Sequence, residues 1–106
     1  MMRRIVFTPE ADADVDESYA YLFARSPQAA DRFIDAVDET AHRVAKYPGT
    51  GSRWRHGETD LPELRRIRLK HFDMWLMLYL PEPGVLRVVR VVHGARDLGS
   101  VSLSEF

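Results

Sequence analysis

The stretch from residue 86 to residue 98 reads Leu86-Arg87-Val88-Val89-Arg90-Val91-Val92-His93-Gly94-Ala95-Arg96-Asp97-Leu98. It begins with a run rich in valine, which is typical of a strand buried on at least one face. It ends in a cluster of His, Arg and Asp around a glycine, where the strand leaves the sheet. Polar side chains at the end of a buried strand, at the edge of a sheet, often form a functional surface. We therefore expect a sheet whose closing strand carries candidate functional residues at its end.

Two helices with similar starts are predicted before that strand. A hydroxyl cap followed by proline at the first helical position occurs at Thr8-Pro9 and again at Ser26-Pro27. Apolar residues then recur at helical spacing, and the second helix ends at Tyr47 because a proline follows it. Helices joined by so short a turn form a hairpin with one shared apolar side, and that side needs a sheet beneath it.

Four strands complete the predicted fold. The first runs from Arg4 to Phe7, and its place in the sheet stays open. The last three, at residues 64–69, 72–80 and 85–92, are expected to form an antiparallel meander, with the apolar 72–80 as a central strand. Residues 48–62 are predicted to be a loop, and Pro81-Glu82-Pro83-Gly84 a turn. The sequence thus predicts one α+β domain over residues 1–106, of order β-α-α-β-β-β, with a helical hairpin packed on one face of a small, mostly antiparallel sheet.

Composition narrows the classes of function. The chain has 106 residues and no cysteine, which excludes disulfides and thiolate metal sites. No stretch approaches the roughly 18 apolar residues of a membrane span. The histidines at 42, 56 and 71 lack ligand spacing, so we predict no metal and no cofactor. We expect a cytoplasmic protein without membrane contact.

The net charge of −1 conceals segments of opposite charge. Acidic residues crowd positions 10–39, whereas basic residues dominate positions 53–70. Alternation in the strand at 64–69 is expected to place Arg66, Arg68 and Lys70 on one side. Two interpretations stay open: a solvated surface, or a basic surface that meets an acidic partner or a nucleic-acid complex.

Four segments resemble the ParE-type toxins of the RelE/ParE superfamily, the toxic half of bacterial toxin–antitoxin pairs. They are Phe7-Thr8-Pro9-Glu10-Ala11 with Tyr19 behind it, Tyr47-Pro48-Gly49-Thr50-Gly51-Ser52-Arg53 (a P-x-x-G-x-R pattern), Leu64-Arg65-Arg66-Ile67, and Val91-Val92-His93-Gly94-Ala95-Arg96-Asp97. The last two are the more specific. The resemblance covers nearly the whole chain and implies a RelE-like toxin neutralised by a cognate, ParD-like antitoxin.

The superfamily hosts two activities on one fold, so fold cannot decide between them. ParE-type members are associated with DNA gyrase poisoning and plasmid stabilisation, whereas RelE-type members cleave mRNA on the ribosome with an essential Tyr or His near the C-terminus. Residues 99–106 contain neither residue type. The resemblance therefore favours a gyrase inhibitor that acts by binding, without a catalytic centre of its own and without direct sequence-specific nucleic-acid binding. A ribosome-dependent endonuclease and a non-toxic, antitoxin-binding member are the alternatives.

The candidate residues form separate sets. Target-binding candidates are Arg53, Arg66, Arg68, Lys70, His93, Arg96 and Asp97. Antitoxin-binding candidates, expected near a groove beside the helical hairpin, are Leu22, Phe23, Tyr47 and Trp54. An endonuclease would use His93 as acid or base, with Tyr79 or Glu63 as helpers. The structural interpretation of His93 is a hydrogen bond that fixes the turn.

Overall fold

The computed structural model of the chain describes residues 2–54 and 63–97. Within these residues, helices pack against a five-stranded sheet of strand order β1-β5-β4-β3-β2. The elements are β1 (Arg4–Phe7), α1 (Pro9–Phe23), α2 (Pro27–Lys46), a 3₁₀ turn (Pro48–Thr50), β2 (Ser52–Arg53), β3 (Arg65–Leu69), β4 (Phe72–Glu82), β5 (Val85–His93) and α3 (Gly94–Asp97). This arrangement confirms the predicted α+β fold with its helical hairpin and antiparallel meander.

Both long helices begin at the predicted caps. The Thr8 hydroxyl accepts a hydrogen bond from the Ala11 N–H at 3.0 Å and donates one to the Val89 carbonyl at 2.7 Å. The Ser26 hydroxyl accepts from the Ala29 N–H at 3.2 Å. Thr8 thus satisfies an orphan donor of α1 and also ties the start of that helix to β5.

The structure settles the position of the first strand. β1 pairs in parallel with β5, in a register that runs from Arg4 opposite Val85 to Phe7 opposite Val88. β5 therefore lies between β1 and β4, and β4 lies between β5 and β3. The prediction that residues 72–80 form a central strand is confirmed.

The sheet is covered differently on its two faces. On the helix side, Phe33, Val37 and Val44 of α2 pack with Met77 and Tyr79 in the main core. The opposite face, here called the open face, carries a smaller apolar cluster of Leu64, Leu78, Leu80, Val89 and Val92. The middle of the sheet is therefore buried on both faces, whereas the margins of the open face stay accessible.

Three local features differ from the predictions. Ser52 and Arg53 form a short strand, β2, inside the predicted loop, whose residues 55–62 lie outside the described part of the chain. Strand β4 continues through Pro81, which lies beyond the last pairing of β3 with β4, where a missing N–H is tolerated. The turn is therefore only Pro83-Gly84, with Gly84 at φ +73°, a conformation that favours glycine. Residues 94–97 form the short helix α3.

No helix in the described ranges is long and apolar enough to cross a membrane.

Candidate functional site: a basic concavity on the open face

A concavity of about 500 Å³ lies on the open face, between β3 and the end of β5. We call it the open-face concavity, and its lining residues are Ser52, Arg66, Ile67, Arg68, Asp73, Met74, Leu76, Gly94 and Ala95. Two of the predicted target-binding residues, Arg66 and Arg68, line it together with Gly94 and Ala95, which follow His93. From the end of the closing strand, Gly94 and Ala95 line the concavity, whereas the predicted polar residues His93, Arg96 and Asp97 are not among its lining residues.

The pairing of β3 with β4 explains why both guanidinium groups reach the open face. Arg66 lies opposite Leu78 and Arg68 opposite Leu76, and both leucines belong to the open-face apolar surface. Directly opposed residues of an antiparallel pair project to the same face. Within residues 2–54 and 63–97, neither arginine forms an ion pair. Their charges are therefore available to a ligand or partner.

Gly94 allows the chain to pass close to the floor of the concavity. A Cβ at this position would lie 3.3 Å from Cδ1 of Leu76 and 3.5 Å from the carbonyl oxygen of Met74. A side chain there would crowd the strand below it. Gly94, the first residue of α3, therefore lies closely packed against β4.

Lys70 does not join the two arginines as the alternation predicted. Strand β3 ends at Leu69, and Lys70 lies in the turn between β3 and β4, where the alternation of strand side chains no longer applies. The Lys70 ammonium lies 3.6 Å from a carboxylate oxygen of Glu39 on α2, with both side chains more than half exposed. Arg53 lies on β2, opposite the first residue of β3, and its guanidinium is 3.9 Å from a carboxylate oxygen of Glu63. Exposed pairs of this kind contribute little to stability.

His93 caps the short helix that follows it. Its Nδ1 accepts a hydrogen bond from the Arg96 N–H at 3.2 Å, and its ring packs edge-on against Trp75 with centroids 4.9 Å apart. His93 therefore fixes the turn through a hydrogen bond, as its structural interpretation proposed, and the ring is the acceptor of that bond.

Arg96 and Asp97 form a bidentate pair and do not line the open-face concavity. Two guanidinium nitrogens of Arg96 donate to the Asp97 carboxylate at 3.0 Å each, and this hydrogen bonding lowers the pKa of Asp97. The Arg96 guanidinium carbon also lies 5.5 Å from the centre of the Tyr21 ring on α1. The Arg25 guanidinium carbon lies 3.7 Å from the same ring. Arg25 lies in the turn just after α1, and the sequence prediction did not identify its contact with Tyr21.

Tyr79 has a structural role that excludes it as a catalytic helper. Its side chain is fully buried, and its hydroxyl donates to the Pro48 carbonyl at 2.7 Å and accepts from the Gly51 N–H at 2.9 Å. Burial raises the pKa of this phenol above its ordinary value. A Cβ at Gly51 would lie 2.5 Å from the same hydroxyl oxygen, which explains the glycine in the P-x-x-G-x-R segment. The contact holds the chain before β2 and so positions Ser52 at the concavity.

The four antitoxin-binding candidates do not share one surface. Leu22 packs partly buried against the helix-side core, whereas Trp54 packs against the open-face cluster. Phe23 and Tyr47 are exposed, but they end α1 and α2 respectively and so lie at opposite ends of the antiparallel hairpin. None of the four candidates lines the groove between the two helices. The residues that line this groove include three aspartates and are Phe7, Asp12, Val15, Asp16, Ile34, Val37 and Asp38.

Among the described residues, no group of three or more His, Asp or Glu side chains is placed to hold a metal ion.

The fold and the site together define a small α+β domain with a basic concavity on its open sheet face. The family described as the ParE toxin of the type II toxin-antitoxin system parDE matches residues 5–98. The chain belongs to this family.

A solved structure supports the fold assignment. The structure of a "Chromosomal ParDE TA system from P. aeruginosa" superposes with a TM-score of 0.68 at 16% sequence identity, covering 87% of this chain and 96% of that chain. At this identity the likeness concerns the fold alone. A comparison with curated proteins found no match.

Proposed function

We propose that this ParE-family toxin acts by binding DNA gyrase and that a cognate antitoxin neutralises it. The observation that carries the proposal is the distribution of charged groups around the open-face concavity. Arg66 and Arg68 gather there, whereas the residues considered for acid–base chemistry are engaged elsewhere. Tyr79 holds the backbone at Pro48, and His93 caps α3.

Cleavage of RNA through its 2′-hydroxyl needs a general base, a general acid and a cation at one phosphate. The lining of the concavity supplies two cations and one carboxylate, Asp73. A surface of this composition suits recognition of an acidic partner better than acid–base chemistry. Arg66 and Arg68 are therefore the leading target-binding candidates. Arg53 and Lys70 are secondary candidates, because they are not among the residues that line the concavity.

The antitoxin is the second part of the proposal. Membership of the toxin family supports a partner of this kind, as does the fold shared with a protein of a ParDE system. Phe23 and Tyr47 are exposed on about half or more of their surface, at 50% and 59%. Exposed aromatic rings are frequent anchors of protein interfaces, so both remain antitoxin-binding candidates.

A supercoiling assay tests the gyrase proposal. We expect the purified chain to inhibit supercoiling by gyrase and the double variant Arg66→Glu/Arg68→Glu to need about tenfold more protein, since lost charge pairs at an interface cost at least about 1.4 kcal/mol. The matched control is Arg4→Glu/Arg32→Glu, which makes the same charge change at exposed positions away from the concavity. Adding the antitoxin encoded beside the chain should restore supercoiling. Unaffected supercoiling together with arrested translation in vitro would refute the proposal and favour the endonuclease, for which Asp73→Asn is the first variant to assay.

A further inference from the structure

Arg66 and Arg68 form a row of hydrogen-bond donors with the hydroxyl of Ser52. Residues two apart on a strand project to one face, and their Cα atoms are about 7 Å apart. Ser52 on β2 lies directly opposite Arg66, so its side chain projects to the same face. Within residues 2–54 and 63–97, neither guanidinium takes part in a side-chain hydrogen bond or an ion pair. All three side chains line the open-face concavity, and both guanidinium groups keep their N–H donors available to a ligand.

This set of donors is typical of phosphate recognition. Arginine guanidinium groups and serine hydroxyls are among the usual donors to the phosphate oxygens of nucleic acids. A DNA strand repeats its charges every 3.4 Å or so, about that distance along the helix axis, so a fixed row of two arginines can contact two phosphates of one strand. A protein partner matches the row only where it holds two carboxylates at the same separation. The regular charge of a DNA backbone therefore complements Arg66 and Arg68 more directly than a protein surface does.

The lining of the concavity favours a DNA duplex over a single strand. Proteins that bind single-stranded nucleic acids stack unpaired bases on aromatic side chains. Among the described residues that line the concavity there is no Phe, Tyr or Trp, and the apolar ones are Ile67, Met74, Leu76 and Ala95. The surface therefore suits a backbone whose bases stay paired, and contacts of this kind carry no sequence information.

The charge of the remaining chain limits how strongly it binds DNA alone. The net charge is −1, and acidic residues crowd positions 10–39 on the two long helices. The carboxylate of Asp73 also lines the concavity and reduces its positive charge. Two arginines can therefore add affinity to a complex that other contacts hold together, but they do not form a DNA-binding surface of their own. The DNA has to be presented by the protein that the toxin binds.

We propose that Arg66, Arg68 and Ser52 contact the phosphate backbone of the DNA duplex that gyrase holds, so that the toxin binds the gyrase–DNA complex more tightly than gyrase alone. This rests on the proposed function in one respect, that gyrase is the target. The two arginines are thereby assigned to DNA, and the contacts with gyrase itself belong to other surfaces of the chain.

Binding of the fluorescently labelled chain to gyrase, with and without a linear DNA duplex, tests the proposal. We expect the dissociation constant to be at least about tenfold lower when the duplex is present. Two phosphate contacts should also steepen the dependence of the logarithm of affinity on the logarithm of salt concentration by about 1.8, at about 0.9 for each contact. Arg66→Gln/Arg68→Gln should remove both differences. Its affinity for DNA-free gyrase should stay within about twofold, which also shows that the variant is folded.

Two further variants complete the experiment. The matched control is Arg4→Gln/Arg32→Gln, which removes the same charge at exposed positions away from the concavity and should behave like the unsubstituted chain. Asp73→Asn works in the opposite direction, because it removes the carboxylate from the lining. It should raise the affinity for the gyrase–DNA complex at least about threefold, and an unchanged affinity would count against DNA in this concavity.

The other outcomes separate this proposal from the proposed function. If the chain binds gyrase with the same affinity and salt dependence in both arms, the DNA contact is wrong and the gyrase proposal stands, with carboxylates of gyrase as the partners of the arginines. If the chain binds gyrase in neither arm and leaves supercoiling unaffected, both proposals fail. Equal affinity for the duplex without gyrase would refute the requirement for gyrase. An equal gain from single-stranded DNA would refute the choice of a paired backbone.

Discussion

Replacing Tyr79 with phenylalanine tests how the segment before β2 is held. The substitution removes one hydroxyl, keeps the buried ring, and leaves two backbone groups without their partner. The Gly51 N–H is buried, and an unpaired buried donor costs about 1–3 kcal/mol. The Pro48 carbonyl is half-buried and can turn to water, so its loss costs about 0.5–1.5 kcal/mol. We expect Tyr79→Phe to lower the free energy of unfolding by about 1.5–4.5 kcal/mol, the sum of these two ranges.

The measurement is urea unfolding followed by circular dichroism, with thermal unfolding as a second probe. At about 4 °C per kcal/mol for a chain of this size, Tm should fall by about 6–18 °C. Tyr47→Phe is the matched control, because Tyr47 is 59% exposed and its hydroxyl is in contact with solvent. The control should change stability by less than about 0.5 kcal/mol. An equally small loss for Tyr79→Phe would refute the argument that the two hydrogen bonds stabilise the fold.

Two further predictions concern the ion pair between Asp14 and Arg90 and the pH dependence of stability. The Asp14 carboxylate accepts from the Arg90 guanidinium at 2.7 and 2.9 Å and from the Val91 N–H at 3.0 Å, with only 12% of the Asp14 side chain exposed. Asp14→Ala should therefore lower the free energy of unfolding, measured by urea unfolding, by about 2–4 kcal/mol. A loss below about 1 kcal/mol would contradict this expectation. Burial raises the pKa of Tyr79 above 10.0, so its contribution to stability is complete below pH 10 and is lost as the pH rises through the higher folded value. Urea midpoints measured from pH 8 to 11 should fall less steeply for Tyr79→Phe than for the unsubstituted chain, and equal slopes would count against a buried phenol.

The helices could be predicted from the sequence because their determinants are local. Thr8-Pro9 and Ser26-Pro27 define the starts through caps that need no distant partner. β1 could not be placed, because its parallel pairing joins residues about 80 positions apart. β2 was missed because two residues carry no periodicity. It forms where Tyr79 and Arg65 hold Gly51, and Arg65 donates to the Gly51 carbonyl at 2.6 Å.

The site was predictable to the extent that simple alternation holds. Arg66 and Arg68 reach one concavity as expected, and Lys70 departs because β3 ends at Leu69 and Lys70 lies in the turn that follows. The polar end of β5 divides for a similar reason. Helix α3 turns the chain, so Gly94 lines the open-face concavity while Arg96 lies beside α1. The residue at which a strand ends cannot be read from periodicity, and here the strand ends decide which charged side chains lie together.

The arginines of the sheet differ in whether they have an acidic partner, and this contrast supports a binding role for the open face. Facing α1, Arg90 is neutralised by Asp14 with close, partly buried geometry. On the open face, Arg66 and Arg68 form no ion pair within the described ranges, although the chain has 16 acidic residues for 15 basic ones. Unpaired cations beside the short strand β2 disfavour edge-to-edge pairing of two copies at this side of the sheet, since like charges would meet. In the proposed function the same two arginines would attract an acidic partner surface, and salt would weaken that attraction.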